Sequence, residues 1–180
     1  NSNRLTMKKT TLFAILLLLI MTGKSFASSC LTNLKLNKEM KTLNLNDYEI
    51  KEAIPGINLI NVPVKFFCKQ TKAKGTQIQL FFIDDKLKRI TFVYEGKQDR
   101  PLFNIAQNFY KVGFTKNQNI IDMREIEQYF VSNNNTIYTY ENFKGEGENF
   151  KQIKEIFEII DKSFEDFMLE FSIAEESKQG

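Results

Sequence analysis

The sequence predicts an α+β fold, a twisted antiparallel sheet with helices packed mainly on one face. Two stretches carry that expectation. QIQLFFIDDKLKRITFVYE, Gln77 to Glu95, sets two runs rich in β-branched and aromatic residues on either side of an acidic turn, the pattern of a hairpin. DRPLFNIAQNFYKVG, Asp99 to Gly113, follows with Leu102, Ile105, Ala106, Phe109 and Val112 at helical spacing, which gives one apolar stripe to lie on a sheet. No internal repeat and no low-complexity linker interrupts the chain, so one domain over 28–180 is the simplest organisation.

Residues 1–27 stand apart as an N-terminal extension and secretory signal peptide. Met7-Lys8-Lys9, the apolar run from Leu12 to Met21 and then Ser25-Phe26-Ala27 are the charged, apolar and small-residue regions of such a signal. The run is shorter than the ~20 residues of a membrane-spanning helix. Cleavage after Ala27 leaves 153 of the 180 residues and implies a periplasmic or secreted protein.

Removing the signal changes the charge. The full chain is +3, but Arg4, Lys8, Lys9 and Lys24 leave with the signal, and the remainder holds 21 basic and 22 acidic residues. The basic balance is therefore no evidence for nucleic acid as a partner. What charge remains is unevenly spread: residues 28–116 carry 15 basic and 8 acidic residues, and residues 117–180 carry 6 and 14. The two parts either neutralise each other across one fold or present faces to charged partners.

Cys30 and Cys68 are the only cysteines, and in an exported chain two cysteines are most simply one disulfide. Acylation of Cys30 is the competing reading, and it alone would bring a membrane into play. Its signal fits poorly, since Ala27 stands where a leucine is expected.

The first element after the signal is LNLNDYEIKEAIPG, Leu43 to Gly56, read as a short helix. Asn46 and Glu49 have capping-box spacing, and Pro55-Gly56 supplies a stop. Val62 to Cys68 then reads as a strand and Lys69 to Gly75 as a basic turn. In the hairpin, Ile78, Leu80 and Phe82 share one face, and Ile90, Phe92 and Tyr94 share one face of the second strand. They meet on the same side only if an odd number of residues separates the strands, because a one-residue slip turns a whole strand over. A three-residue loop, Asp84-Asp85-Lys86, sets Leu80 opposite Ile90 and Ile78 opposite Phe92; a two-residue loop would set Leu80 against Arg89.

In the helix that follows, Asp99 can cap, Pro101 is tolerated in the first turn and Gly113 can stop it. Gln128–Val131 and Thr136–Asn142 read as strands joined by Ser132–Asn135, and Gly145–Glu148 as another turn. Lys154 to Asp161 alternates as a strand does and also fits one helix running from Asn149 to Met168. The reading adopted is a strand, then a helix from about Ser163.

The composition excludes much chemistry. The chain has no histidine, so it has no Ser-His or Cys-His nucleophile pair and no imidazole metal ligand. Two carboxylates suffice for a glycosidase, but Asp84, Asp85, Glu146 and Glu148 fall in turns, and Glu165, Asp166, Glu175 and Glu176 on the polar side of a presumed helix. Gly145-Glu146-Gly147-Glu148 is glycine-rich yet acidic and lacks the lysine and hydroxyl of a phosphate loop. No catalytic, cofactor-binding or metal-binding residue is assigned, and no cofactor. The 17 phenylalanines are read first as core filling in a chain without tryptophan, and second as the lining of a hydrophobic-ligand cavity.

Leu43, Leu45, Asn46, Glu49, Ile50, Ile54, Pro55 and Gly56 together form a pattern that resembles the "L-G-M-S-x-x-E-V" helix opening small exported domains of the BamE and β-lactamase-inhibitor-protein type. The resemblance covers Leu43 to Tyr94, with Asn44 in place of the expected glycine. It implies a short helix packed on an antiparallel sheet and a role in binding, such as enzyme inhibition or envelope assembly.

The function expected from the sequence is thus a non-catalytic exported protein-binding module, an inhibitor or immunity-type protein, whose partner is another envelope or secreted protein. A carrier of a small hydrophobic ligand and a carboxylate-only enzyme are the alternatives. The candidate partner face is the side of the hairpin away from the helices: Gln79, Phe81, Arg89, Thr91 and Val93. The competing possibility is that the C-terminal helix packs there and buries Phe81.

Overall fold

The computed structural model describes residues 30, 31, 33–69, 73–97, 100–116, 126–144 and 153–179. The expected signal peptide, Asp99 cap and Gly145–Glu148 turn lie outside them. The described chain forms one antiparallel sheet of eight strands: β1 Ile50–Ile54, β2 Ile57–Pro63, β3 Gln77–Ile83, β4 Lys86–Gly96, β5 Thr115–Lys116, β6 Ile126–Asn133, β7 Thr136–Lys144 and β8 Ile153–Asp161. Three helices accompany it: α1 Val64–Phe67, α2 Pro101–Asn108 and α3 Lys162–Gln179. The spatial order is β1-β2-β3-β4-β8-β7-β6-β5. Each half is a run of adjacent antiparallel neighbours, and the halves meet where β8 pairs with β4. The α+β class is as the sequence predicts.

The sheet's two faces are unequally covered. On one lie Ile60, Val62, Ile78, Leu80, Phe82, Ile90, Phe92, Phe157 and Ile159, all buried in the main core with α2 and the N-terminal segment. That segment contributes Leu31, Leu34, Leu43 and Leu45, and the Cys30–Cys68 disulfide ties it to the end of α1. The phenylalanines are mostly packing residues here. Phe103 and Phe114 stack among Tyr129, Tyr140 and Phe157, with centroids 5.1–6.2 Å apart, and fill the space below α2. Among the described residues, the other face is covered by α3, through a smaller cluster of Ile57, Ile137, Ile160 and Phe164.

Several expected elements differ. Leu43 to Gly56 is not a helix: a 3₁₀ turn, Met40–Leu43, precedes an irregular stretch, and Ile50–Ile54 is β1. Two turns of helix do not stabilise themselves, whereas Ile50–Ile54 as a strand pairs its backbone with β2, whose Ile57, Ile60 and Val62 are buried. Pro55-Gly56, read as a helix stop, is the hairpin turn between β1 and β2. Gly56 sits at φ +87°, the position that a proline-glycine type II turn reserves for glycine. Val62 to Cys68 is the end of β2 followed by α1, not one strand.

The β3–β4 register is as predicted, with Ile78 opposite Phe92 and Leu80 opposite Ile90, but by another route. The loop is the two residues Asp84 and Asp85, both at positive φ (48° and 59°) as a type I′ turn demands. The odd residue is Lys88, bulged out between the pairs Phe81–Arg89 and Phe82–Leu87. Parity counted one extra residue correctly and misplaced it.

Helix α2 is shorter than predicted, ending at Asn108; Lys111 at φ 56°, not Gly113, turns the chain. Its first turn is capped from the sheet: the Leu102 N–H donates to Oε2 of the buried Glu155 on β8 at 2.9 Å. The β6–β7 ladder runs to Asn133–Thr136, so the turn narrows to Asn134 and Asn135. Strand β8 followed at once by α3 agrees with the reading adopted for residues 154–168. Asp161 is its hinge, ending β8 and accepting the Ser163 N–H at 3.0 Å as an N-cap does.

Candidate functional site: the open face of the sheet

Cross-strand pairing places side chains in rows, because residues opposite one another point the same way. On the face away from the main core, one row is Leu59, Phe81, Arg89, Ile160, Ile137. The next is Asn61, Gln79, Thr91, Glu158, Thr139, Phe130, and a third runs Pro63, Gln77, Val93, Ile156, Glu141, Gln128. All five candidate residues therefore lie on one face, as parity predicts. They do not share one environment.

The first row belongs to α3. The Phe81 and Phe164 rings meet edge to face at 5.9 Å, and the Arg89 guanidinium lies 5.1 Å from the Phe81 centroid and 5.6 Å from that of Phe164. Phe81 is half-buried in this packing and Arg89 is held over it. Thr91 is buried, 4% exposed, and Gln79 and Val93 are half-buried. Of the predicted face, the part beyond α3 is the side of Gln79, Thr91 and Val93.

That part continues across residues the sequence reading did not include. Glu158 is its hub. Its Oε1 accepts from Arg89 Nε at 3.1 Å, from Arg89 Nη2 and from Thr91 Oγ1 at 2.9 Å, and its Oε2 from Thr139 Oγ1 at 3.2 Å. Strands β4, β7 and β8 thus converge on one carboxylate. Beside it, burial and the Glu158 charge push the Glu141 carboxyl above the usual range, and the hydrogen bond from Gln128 Nε2 at 2.9 Å opposes this. At the rim Phe130 is 48% exposed. Alternation of Ile156, Glu158 and Ile160 was visible in the sequence; that β8 lies beside β4 was not, because its paired residues lie 57 to 71 positions apart in the chain.

Glu158 spends its oxygens on a guanidinium and two hydroxyls, which fixes its position and ties the three strands together. Among the described residues no group of three or more Cys, Asp or Glu could hold a metal ion, and no helix is long and apolar enough to cross a membrane. A groove of about 650 Å³ lies on the opposite face, where Met40, Leu45, Tyr48, Ile50 and Ile60 are ringed by Glu39, Lys41, Asp84, Asp85 and Lys86. A carrier of hydrophobic ligands calls for a mostly apolar lining, and this groove mixes five apolar or aromatic side chains with five charged ones and Asn46.

Comparison of the chain with models of protein families, with characterised proteins and with solved structures finds no match.

Proposed function

We propose that this chain is an exported, non-catalytic protein-binding module that engages another envelope or secreted protein through the open face of its sheet, in the manner of an inhibitor or immunity-type protein. The observation that carries it is the Glu158 network. It holds Thr91, Thr139 and Arg89 in place over three strands, so that Gln79, Val93, Ile156, Glu141 and the exposed Phe130 form a preorganised surface of mixed polarity. Surfaces of that kind lose little entropy on docking, and aromatic residues serve as anchors. Export is supported by the Cys30–Cys68 disulfide, which persists in oxidising compartments.

Affinity capture of the mature protein from envelope extract, read by mass spectrometry, identifies the partner. Phe130→Ala and Val93→Glu should each reduce capture more than tenfold while leaving the urea melt within about 1 kcal/mol. A partner retained equally by both variants would place binding elsewhere. The second reading, carboxylate chemistry, has one specific observation behind it, the raised Glu141 beside Glu158. Turnover of a chromogenic glycoside that is abolished by Glu141→Gln would favour it.

A further inference from the structure

We infer that the free edge of β1 pairs with the same edge of a second copy, in an antiparallel register centred on Ile50, joining two eight-stranded sheets into one. This uses the rim of the sheet and goes beyond the open-face reading.

The two rims differ. Among the described residues, β5 at one rim is only two residues, Thr115–Lys116. At the other, β1 spans Ile50–Ile54, bonded to β2 on its inner side only, with four of its five residues exposed. Ile50 is 54% exposed, one of few large apolar side chains left so open among the described residues. Unpaired edges of this length recruit another strand unless charge or geometry prevents it.

Charge here selects the partner. A two-fold axis normal to the sheet keeps every side chain on its own face, so the axis must pass through a residue and not between two. Centred on Lys51, the pairing sets Lys51 against its own copy; centred on Glu52, it does the same to Glu52. Both juxtapose like charges, which is destabilising. Centred on Ile50, it sets Ile50 against Ile50 and places Glu49 opposite Lys51 of the second copy, twice over. Glu49 and Lys51 already form an exposed ion pair at 3.2 Å, so four alternating charges would line one face of the joint while the two isoleucines cover each other on the opposite face. The segment Glu49-Ile50-Lys51 is thus self-complementary in one register and self-repelling in the next two. The same axis brings both open faces to one side of the joined sheet, which makes the pair bivalent towards a partner.

A joint this short buries far less than the ~1,200 Å² of stable complexes, so association is weak and needs concentrated protein. Sedimentation of the mature, disulfide-intact protein over a series up to about 1 mM should show reversible dimerisation. Lys51→Glu and Glu49→Lys should each weaken it about tenfold or more, and the double swap should restore it, since the opposed pairs are re-formed with signs exchanged. With oxidised glutathione as the oxidant, Ile50→Cys should crosslink the two copies by a disulfide within the dimer. All these positions are exposed, and unchanged melts confirm that the variants fold. A monomer throughout, association indifferent to both single charge reversals, or failure of the double swap to restore it overturns the inference. Phe130→Ala, which tests the open face, should leave dimerisation unchanged, so the two readings fail separately.

Discussion

Truncation of Phe81 tests how α3 is attached to the sheet. A fully buried phenylalanine costs ~3–5 kcal/mol when cut to alanine, and Phe81 is half-buried, so its packing contributes ~1.5–2.5 kcal/mol. The edge-to-face contact with Phe164 at 5.9 Å adds ~0.5–1.5 kcal/mol, and the Arg89 guanidinium at 5.1 Å adds ~0.5–1 kcal/mol at a partly exposed site. These overlap with the packing itself, and the expected loss is ~2–4 kcal/mol. Urea melts followed by far-UV circular dichroism measure it, with an unchanged m-value as the sign that the denatured state is the same. A cycle with Phe164→Ala and the double variant should give a coupling of ~0.5–1.5 kcal/mol, because truncating either ring removes the shared contact. A loss below ~1 kcal/mol, or strict additivity, would mean that α3 is not held by this contact. Phe81 would then return to the open face as a free anchor.

Reducing the Cys30–Cys68 disulfide, which spans a separation of 38 residues, should lower stability by ~4 kcal/mol in the chain-entropy model, measurable by melts with and without reductant. Gly56→Ala should cost ~1–2 kcal/mol, since φ +87° strains any side chain and the new Cβ would lie 3.2 Å from Phe167 Cζ; a neutral melt would mean that the turn relaxes freely. Glu141→Gln should raise stability at neutral pH by up to ~0.5 kcal/mol, because the folded state disfavours the charged form that the unfolded chain accepts. Burial alone would raise the Asp161 carboxyl, but hydrogen bonds from Ser163 and Asn37 and the Lys88 ammonium hold it below the usual range. A depressed folded value contributes stability above the unfolded value near ~3.9 and loses it as pH falls through the folded one, so Asp161→Asn should flatten the decline below about pH 4.

Local signals carried most of what could be read from the sequence. The hairpin register and the α2 stripe rest on side-chain periodicity within one or two elements, whereas residues 154–161 fit a strand and a helix alike by periodicity, and the structure makes them β8 before α3. The opening stretch misled because its cues serve two structures. Asn46, Glu49 and Pro55-Gly56 punctuate a helix or a turn equally well, and what decides is the pairing of Ile50–Ile54 with β2, a strand already anchored to β3 by buried Ile60 and Val62. The cap of α2 was invisible for a related reason, since the carboxylate of Glu155 arrives from 53 residues away. At the candidate site, parity gathered Gln79, Phe81, Arg89, Thr91 and Val93 onto one face. It could not show that Glu158 would sit among them, nor that α3 would take the row of Phe81.

The uneven charge of the chain has its physical outlet at the β4–β8 seam. Three ion pairs cross it: Arg89 with Glu158, Lys88 with Asp161 at 3.7 Å, and Lys154 with Glu95 at 3.6 Å. The last is exposed and contributes at most ~1 kcal/mol, so the pairs matter less for stability than for choice of register. Hydrophobic alternation alone cannot fix that register, because sliding β8 by two residues keeps Phe157 and Ile159 on the core face. One such slide sets Arg89 opposite Lys162, like charge against like. The other sets Arg89 opposite Glu158 and Lys86 opposite Asp161 but moves Lys154 from Glu95 to Val93, so that pair is lost. Only the observed pairing satisfies all three, and it is the pairing that puts Glu158 beside Thr91 and Thr139. Arg89–Glu158 and Lys88–Asp161 join the basic front to the acidic rear, while Lys154–Glu95 runs the opposite way, so the individual pairs, and not the front-to-rear division, favour the alignment on which the open face depends.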